Sequence, residues 1–235
     1  MIWLHTLTLA GILGAAPAPA AGQTPAIQGA AATLTGIPLD APWKRTVYAF
    51  ARQKLLHPAW GWTHSERDYQ LARRIAAKEG LRIDTDVLFA AAFTHDIGAV
   101  GEFQEKGVDH AVQSVKLAKP LLLNAGFPAA KWPAVQEAIL GHMYDKDVGS
   151  RAESLVLHDA DALDFLGSVG VARRLAVTGT SDSYLGGLTK IREFADLLPG
   201  RLTTRSARRM APSRVREMRR FLEQLATETA GARLP

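Results

Sequence analysis

Five side chains able to bind protons or metal ions lie within or at the ends of apolar segments: His64, His95, Asp96, His142 and Asp159. The pair His95-Asp96 closes the run Val87-Leu88-Phe89-Ala90-Ala91-Ala92-Phe93-Thr94, which has to be buried. An imidazole beside a carboxylate is costly there unless something satisfies both, and a divalent cation does so. A single histidine near a core is usually a hydrogen-bonded structural residue. Five such residues on successive segments are better explained by convergence on one ion. Imidazole nitrogen with carboxylate oxygen suits Mn, Fe, Co, Ni or Zn, and Mg also accepts the oxygens. There are no cysteines, which excludes disulfides, thiolate zinc sites and cysteine nucleophiles.

Helices must position these residues. Asp40-Ala41-Pro42-Trp43 reads as a helix start leading into residues 44–56. Leu71, Ala72, Ile75 and Ala76 recur at helical spacing over 64–78, with His64 in the first turn and Gly80 as a stop. Asp84 is placed to cap a helix from Thr85 towards His95, apolar on nearly every side and therefore central. Asp109 caps another through about Leu123, and Pro133 suits the first turn of one over 134–143. Further helices are expected over 152–166, 169–176, 188–197 and 213–229, the last started by Pro212. No alternating β-branched run is long enough for a sheet, so the expected class is all-α, a compact helical bundle with the site between its central helices.

At 235 residues one domain is expected, over residues 40–232, preceded by an Ala/Gly/Pro/Thr linker over 23–39. Residues 1–22 read as a signal peptide, an apolar run too short to span a bilayer followed by small residues. That implies a periplasmic or secreted protein with no membrane span in the mature chain; an unprocessed leader would instead mean a cytoplasmic one. The net charge is +5, and from Arg201 onward nine Arg face three Glu, so the basicity belongs to the C-terminal region. A solvated basic helix face explains this better than a nucleic-acid surface, because the interleaved aromatics of a single-strand binder are missing.

Three motifs together resemble a known family. Trp62-Thr63-His64-Ser65-Glu66-Arg67, Phe93-Thr94-His95-Asp96-Ile97-Gly98, and Leu157-His158-Asp159-Ala160-Asp161-Ala162-Leu163-Asp164 followed by Gly167 and Gly170-Val171-Ala172-Arg173 resemble the HD-domain metal-dependent phosphohydrolases. The likeness runs over roughly residues 45–228 and points to the small bacterial subfamily that includes nucleotide pyrophosphohydrolases. It implies His64, His95, Asp96 and Asp159 as ligands of one divalent ion rather than two. It also implies a metal-activated water acting on a nucleotide or other small phosphorylated substrate. Asp96 would be ligand and water-orienting group, with His110 and His142 as phosphate contacts or acid/base groups. Arg67, one turn from His64, and the loop residues Lys106 and Lys146 are candidate anion contacts. Asp161 and Asp164 are expected to cap or to pair with Arg173 or Arg174.

Two other readings are compatible with the sequence. A hydratase or hydrolase of the same superfamily acting on a neutral substrate would need no cations around the site. A non-catalytic metal-containing module would use the Arg-rich C-terminal region as its working surface.

Overall fold

The computed structural model describes residues 30–180 and 182–229; the signal-like leader lies outside them. At its centre is α3 (Thr85–Thr94), buried from Val87 to Thr94, as a helix apolar on every side must be. Asp84 starts it by accepting hydrogen bonds from the Asp86 and Val87 amides. Around it pack α1 (Pro42–Lys54), α2 (Trp62–Glu79), α5 (Trp132–Leu140) and α6 (Ala152–Asp164). Helix α4 (His110–Ala125), capped by Asp109, lies against the 3₁₀ turn Ile97–Ala99 that follows the His95-Asp96 pair. Helices α7 (Gly167–Ala176), α8 (Tyr184–Leu197) and α9 (Arg205–Glu228) cover the far side of α2 and α6. Among the described residues there are two isolated β-bridges and no strand, so the all-α expectation holds.

Two expectations change. The last part of the presumed linker is structured: Ala32 and Pro38 form an antiparallel bridge, and Ile37 and Leu39 are buried in the core. The final helix starts at Arg205 rather than beside Pro212, which lies inside it. Thr204 supplies the cap, and Ala207, Ala211, Val215 and Met218 form one buried stripe running past the proline. Burial of that stripe outweighs the amide hydrogen bond that proline cannot make. Some of α9's arginines are engaged within the chain. Arg208 and Arg214 donate to the Leu202 and Leu163 carbonyls, Arg219 pairs with Asp196, and Arg220 with Glu217. No helix among the described residues is long and apolar enough to cross a membrane.

The turn after Asp96 is held by a close approach. The Gly98 amide donates to Ser114 Oγ at 2.9 Å, and a Cβ at Gly98 would lie 2.5 Å from the His110 carbonyl oxygen and 2.8 Å from Gln113 Cβ. Gly98→Ala should therefore cost about 1–3 kcal/mol by forcing the turn off α4. Chemical denaturation checks this, and an unchanged midpoint would contradict the fit.

Candidate metal centre

Four helices and one turn bring the polar residues together. α2 supplies His64 and, one turn later, Asp68; the end of α3 supplies His95 and Asp96; His142 follows α5; Asp161 and Asp164 come from α6. His64, Asp68, His95, His142, Asp161 and Asp164 are all at most 2% exposed, and Asp96 is 9% exposed. His64 Nε2 lies 3.0 Å from Asp68 Oδ2, 3.2 Å from Asp161 Oδ1, 3.3 Å from His95 Nε2 and 3.6 Å from Asp96 Oδ2. His95 Nε2 is 3.4 Å from Asp96 Oδ2.

The other ring nitrogens fix the tautomers. His64 Nδ1 donates to Asp164 Oδ2 at 2.8 Å, His95 Nδ1 to the Ala92 carbonyl at 3.0 Å, and His142 Nδ1 to the Ile139 carbonyl at 2.6 Å. In the neutral rings every Nε2 is then a lone-pair donor turned inward. Arg173, which can only donate, lies with Nη2 3.3 Å from His64 Nε2, consistent with that assignment. Both oxygens of Asp68 and Oδ2 of Asp161 are buried without a hydrogen-bond partner. Facing lone pairs and orphaned carboxylate oxygens in a buried pocket fit a divalent cation. Two donor groups meet the requirement, His64/Asp68/His95/Asp161 and His95/Asp96/His142, and they share His95.

The electrostatics agree. Burial and the Arg173 guanidinium push the His64 imidazole down, yet Asp68, Asp161 and Asp164 outweigh them and lift its pKa to about 10. Burial, reinforced by Asp164 and Asp161, raises the Asp68 carboxyl well above the usual range despite His64. Burial would also raise Asp96, but His95 and His142 outweigh it and hold that carboxyl well below the usual range. Burial drives the His95 imidazole down, with His142 and His64 adding to the effect. Without a cation the deep part of the cluster retains protons.

Of the predicted ligands, His64, His95 and Asp96 come together and Asp159 does not. Its carboxylate accepts hydrogen bonds from the Thr203 amide at 2.8 Å, the Thr203 hydroxyl at 3.1 Å and the Thr204 amide at 2.7 Å, securing the start of α9. The acid facing His64 is Asp161, two residues on and so on a different face of α6. Asp164 orients His64 from behind and is gripped by Arg67, through Nε and Nη2, and by Arg173 Nη1 at 3.0 Å. Arg67, expected to meet an anion, is thus committed to Asp164. The residues sequence reasoning missed are Asp68 and, as a site residue, Asp161. The signals available were the His64-x-x-x-Asp68 spacing and the shared face of Asp161 and Asp164.

His110 and His142 form the outer part of the site. Their Nε2 atoms are 3.2 Å apart, and each lies 3.5 Å from Asp96 Oδ1. His110, 28% exposed at its side chain, opens onto a cleft of about 780 Å³ lined by Trp60, Gly98, Gln104, Glu105, Lys106 and Asp109. Trp60 forms one wall, stacked on His57 at 3.7 Å and donating from Nε1 to the Ala99 carbonyl. Of the two loop lysines expected to meet an anion, Lys106 lines the cleft, whereas Lys146 pairs with Asp109 at 2.8 Å. His158 lies with its ring nitrogens against the Gly141 and Arg201 carbonyls, away from the cluster.

The HD domain family model matches residues 61–166, the span from the start of α2 to just beyond α6. A predicted HD superfamily hydrolase from an uncultured Thermotogales bacterium is 27% identical, with a TM-score of 0.59 over 83% of this chain and 98% of that one. A Lactobacillus plantarum protein shares the fold at 22% identity and a TM-score of 0.62, over 81% of this chain and 98% of that one. Bacillus subtilis YpgQ, solved in complex with ADP, does so at 22% identity and 0.59, over 79% and 97%. A Clostridium beijerinckii protein is 27% identical over 97 residues, which are 41% of this chain and 59% of that protein's length.

Two outcomes test the geometry. Asp161→Asn should lose bound metal and keep the fold, whereas Asp159→Asn should keep the metal and lose about 2–3 kcal/mol of stability. Metal analysis beside thermal melts separates them, and the reverse pattern would restore Asp159 to the site. Because His64 holds a proton up to a pH of about 10, cation uptake should release protons and tighten as pH rises towards that value. Calorimetry in buffers of different ionisation heat measures this; a buffer-independent heat would refute it.

Proposed function

Residues 61–166 form an HD domain, and from that premise we propose that this metal-dependent hydrolase is a phosphohydrolase acting on a small phosphorylated substrate, a nucleotide above all. The observation that carries the reading is the way the two oxygens of Asp96 divide. Oδ2 faces the buried His64/His95 pair, and Oδ1 faces His110 and His142 at the cleft. His64, His95, Asp96 and Asp161 would hold one divalent ion. Bound there, the ion would lower the pKa of a water and offset negative charge developing on phosphorus.

The chain's own groups supply the rest. Asp96 Oδ1 orients the attacking water. His142, fixed by the Ile139 carbonyl, accepts a proton through Nε2. His110, more exposed and across from it, donates to a phosphate oxygen or to the leaving oxygen as the P–O bond breaks. Lys106 neutralises further phosphate charge in the cleft. The ADP complex of Bacillus subtilis YpgQ supports a nucleotide as substrate, as does a cleft walled by a tryptophan.

One observation favours the neutral-substrate alternative: two of the three expected anion contacts, Arg67 and Lys146, are paired with Asp164 and Asp109. The Lys146 bridge is exposed and screened by solvent, so a phosphate can displace Asp109. The Arg67 fork is half-buried and stays. A hydrolysis screen over nucleoside mono- and triphosphates, cyclic nucleotides and generic phosphoesters, with Mn, Co, Ni, Zn and Mg in turn, decides between the readings. Phosphate release that falls about 100-fold or more in His110→Gln is expected. Absence of turnover on every phosphate substrate with metal bound would overturn the phosphohydrolase reading.

A further inference from the structure

Asp68 has no role in helix capping and no ion-pair partner among the described Arg and Lys residues, yet it is fully buried at the centre of the cluster. Neither of its oxygens receives a hydrogen bond. Oδ2 lies 3.0 Å from His64 Nε2 and 3.7 Å from His95 Nε2, the two nitrogens whose lone pairs point inward. A carboxylate left in this way inside a protein calls for a cation at close range.

The spacing of donors around His64 says what kind of cation. Ligands about 2.1 Å from an ion are separated from their neighbours by about 3.0 Å in an octahedron and about 3.4 Å in a tetrahedron. An octahedral ligand has four such neighbours and a tetrahedral one has three. His64 Nε2 has four: Asp68 at 3.0 Å, Asp161 at 3.2 Å, His95 at 3.3 Å and Asp96 at 3.6 Å. His95 in turn lies beside both Asp96, at 3.4 Å, and Asp68, at 3.7 Å, while Asp161 is within 4.8 Å of it. His64, Asp68, His95 and Asp161 thus lie within 4.8 Å of one another, and Asp96 Oδ2 stands beside the two histidines of that group.

We propose that Asp68 is a fifth protein ligand, so that His64, Asp68, His95, Asp96 and Asp161 hold one six-coordinate ion with a single position left open. The proposal rests on the metal-dependent part of the functional reading. His95 has only Nε2 to offer, since Nδ1 serves the Ala92 carbonyl, so the two donor groups that share it cannot each bind an ion through it. Three carboxylates and two imidazoles favour Mn, Fe, Co or Ni over a tetrahedral zinc. One open position admits a water or a phosphate oxygen, not both. Substrate then binds chiefly through His110 and Lys106.

Cobalt(II) reports this directly, because five- and six-coordinate cobalt absorbs weakly in the visible and tetrahedral cobalt strongly. The full-length chain, stripped with chelator and titrated with Co(II), should give the weak spectrum. Asp68→Ala and the isosteric Asp68→Asn should bind Co(II) about tenfold or more weakly and alter the spectrum while the helical circular dichroism is unchanged. If the alanine variant does not fold, the asparagine variant decides. A smaller loss of affinity in Asp68→Asn, or an intense tetrahedral spectrum in the unaltered chain, overturns the proposal. Failure of the Co(II)-loaded chain to hydrolyse any phosphoester would count against the phosphohydrolase reading and leave the ligand assignment standing.

Discussion

Four carboxylates, those of Asp68, Asp96, Asp161 and Asp164, are packed around one imidazole in an interior closed to solvent, and the rest of the structure is arranged to make that tolerable. Charges of one sign cannot be gathered in a low dielectric without counter-charge. On the side of Asp164 the counter-charge is built in, since Arg67 and Arg173 both donate to it and its carboxyl stays below its usual range although burial raises it. On the side of Asp68 and Asp161 no Arg or Lys among the described residues is within ion-pair range, and their orphaned oxygens mark the difference. The chain's cations thus fix the outside of His64, and the inside is left for an ion from solution.

Helix α6 shows how one segment serves both ends. Asp161 and Asp164 face the cluster, while Asp159 turns to the amides that begin α9. A two-residue offset on a helix rotates a side chain by more than half a turn, so these acids could not share a role. Tying α9 to the helix that carries the site also explains how α9 bridges a proline: its position is set by Thr203, Thr204 and a buried stripe rather than by its own amide ladder.

The elements were legible where a local chemical signal stood at their ends. Asp84, Asp109 and Gly80 stop or start helices at the places expected, because capping depends on one side chain or one φ angle and neighbouring amides. The start of α9 and the turn over 30–39 were not, since each depends on burial against distant residues: Ala207 and Ala211 for one, Ile37 and Leu39 for the other. At the site, His64, His95 and Asp96 could be read from their order along the chain. Asp68 and Asp161 could not be chosen on order alone. A motif records which residue types recur; which of two acids points inward is decided by the rotation of the helix against its neighbours.

Asp96 couples the closed cluster to the open cleft. Its two oxygens face different histidine pairs, so whatever alters charge at His64 and His95 is felt at His110 and His142 within one carboxylate. With no cation inside, His95 and His142 both hold the Asp96 carboxyl below its usual range, and Asp96 in return lifts the His142 pKa against the effect of burial. A cation held at Oδ2 would weaken that lift and make His142 a weaker base. Charge at the inner cluster is therefore felt by His142 at the edge of the cleft.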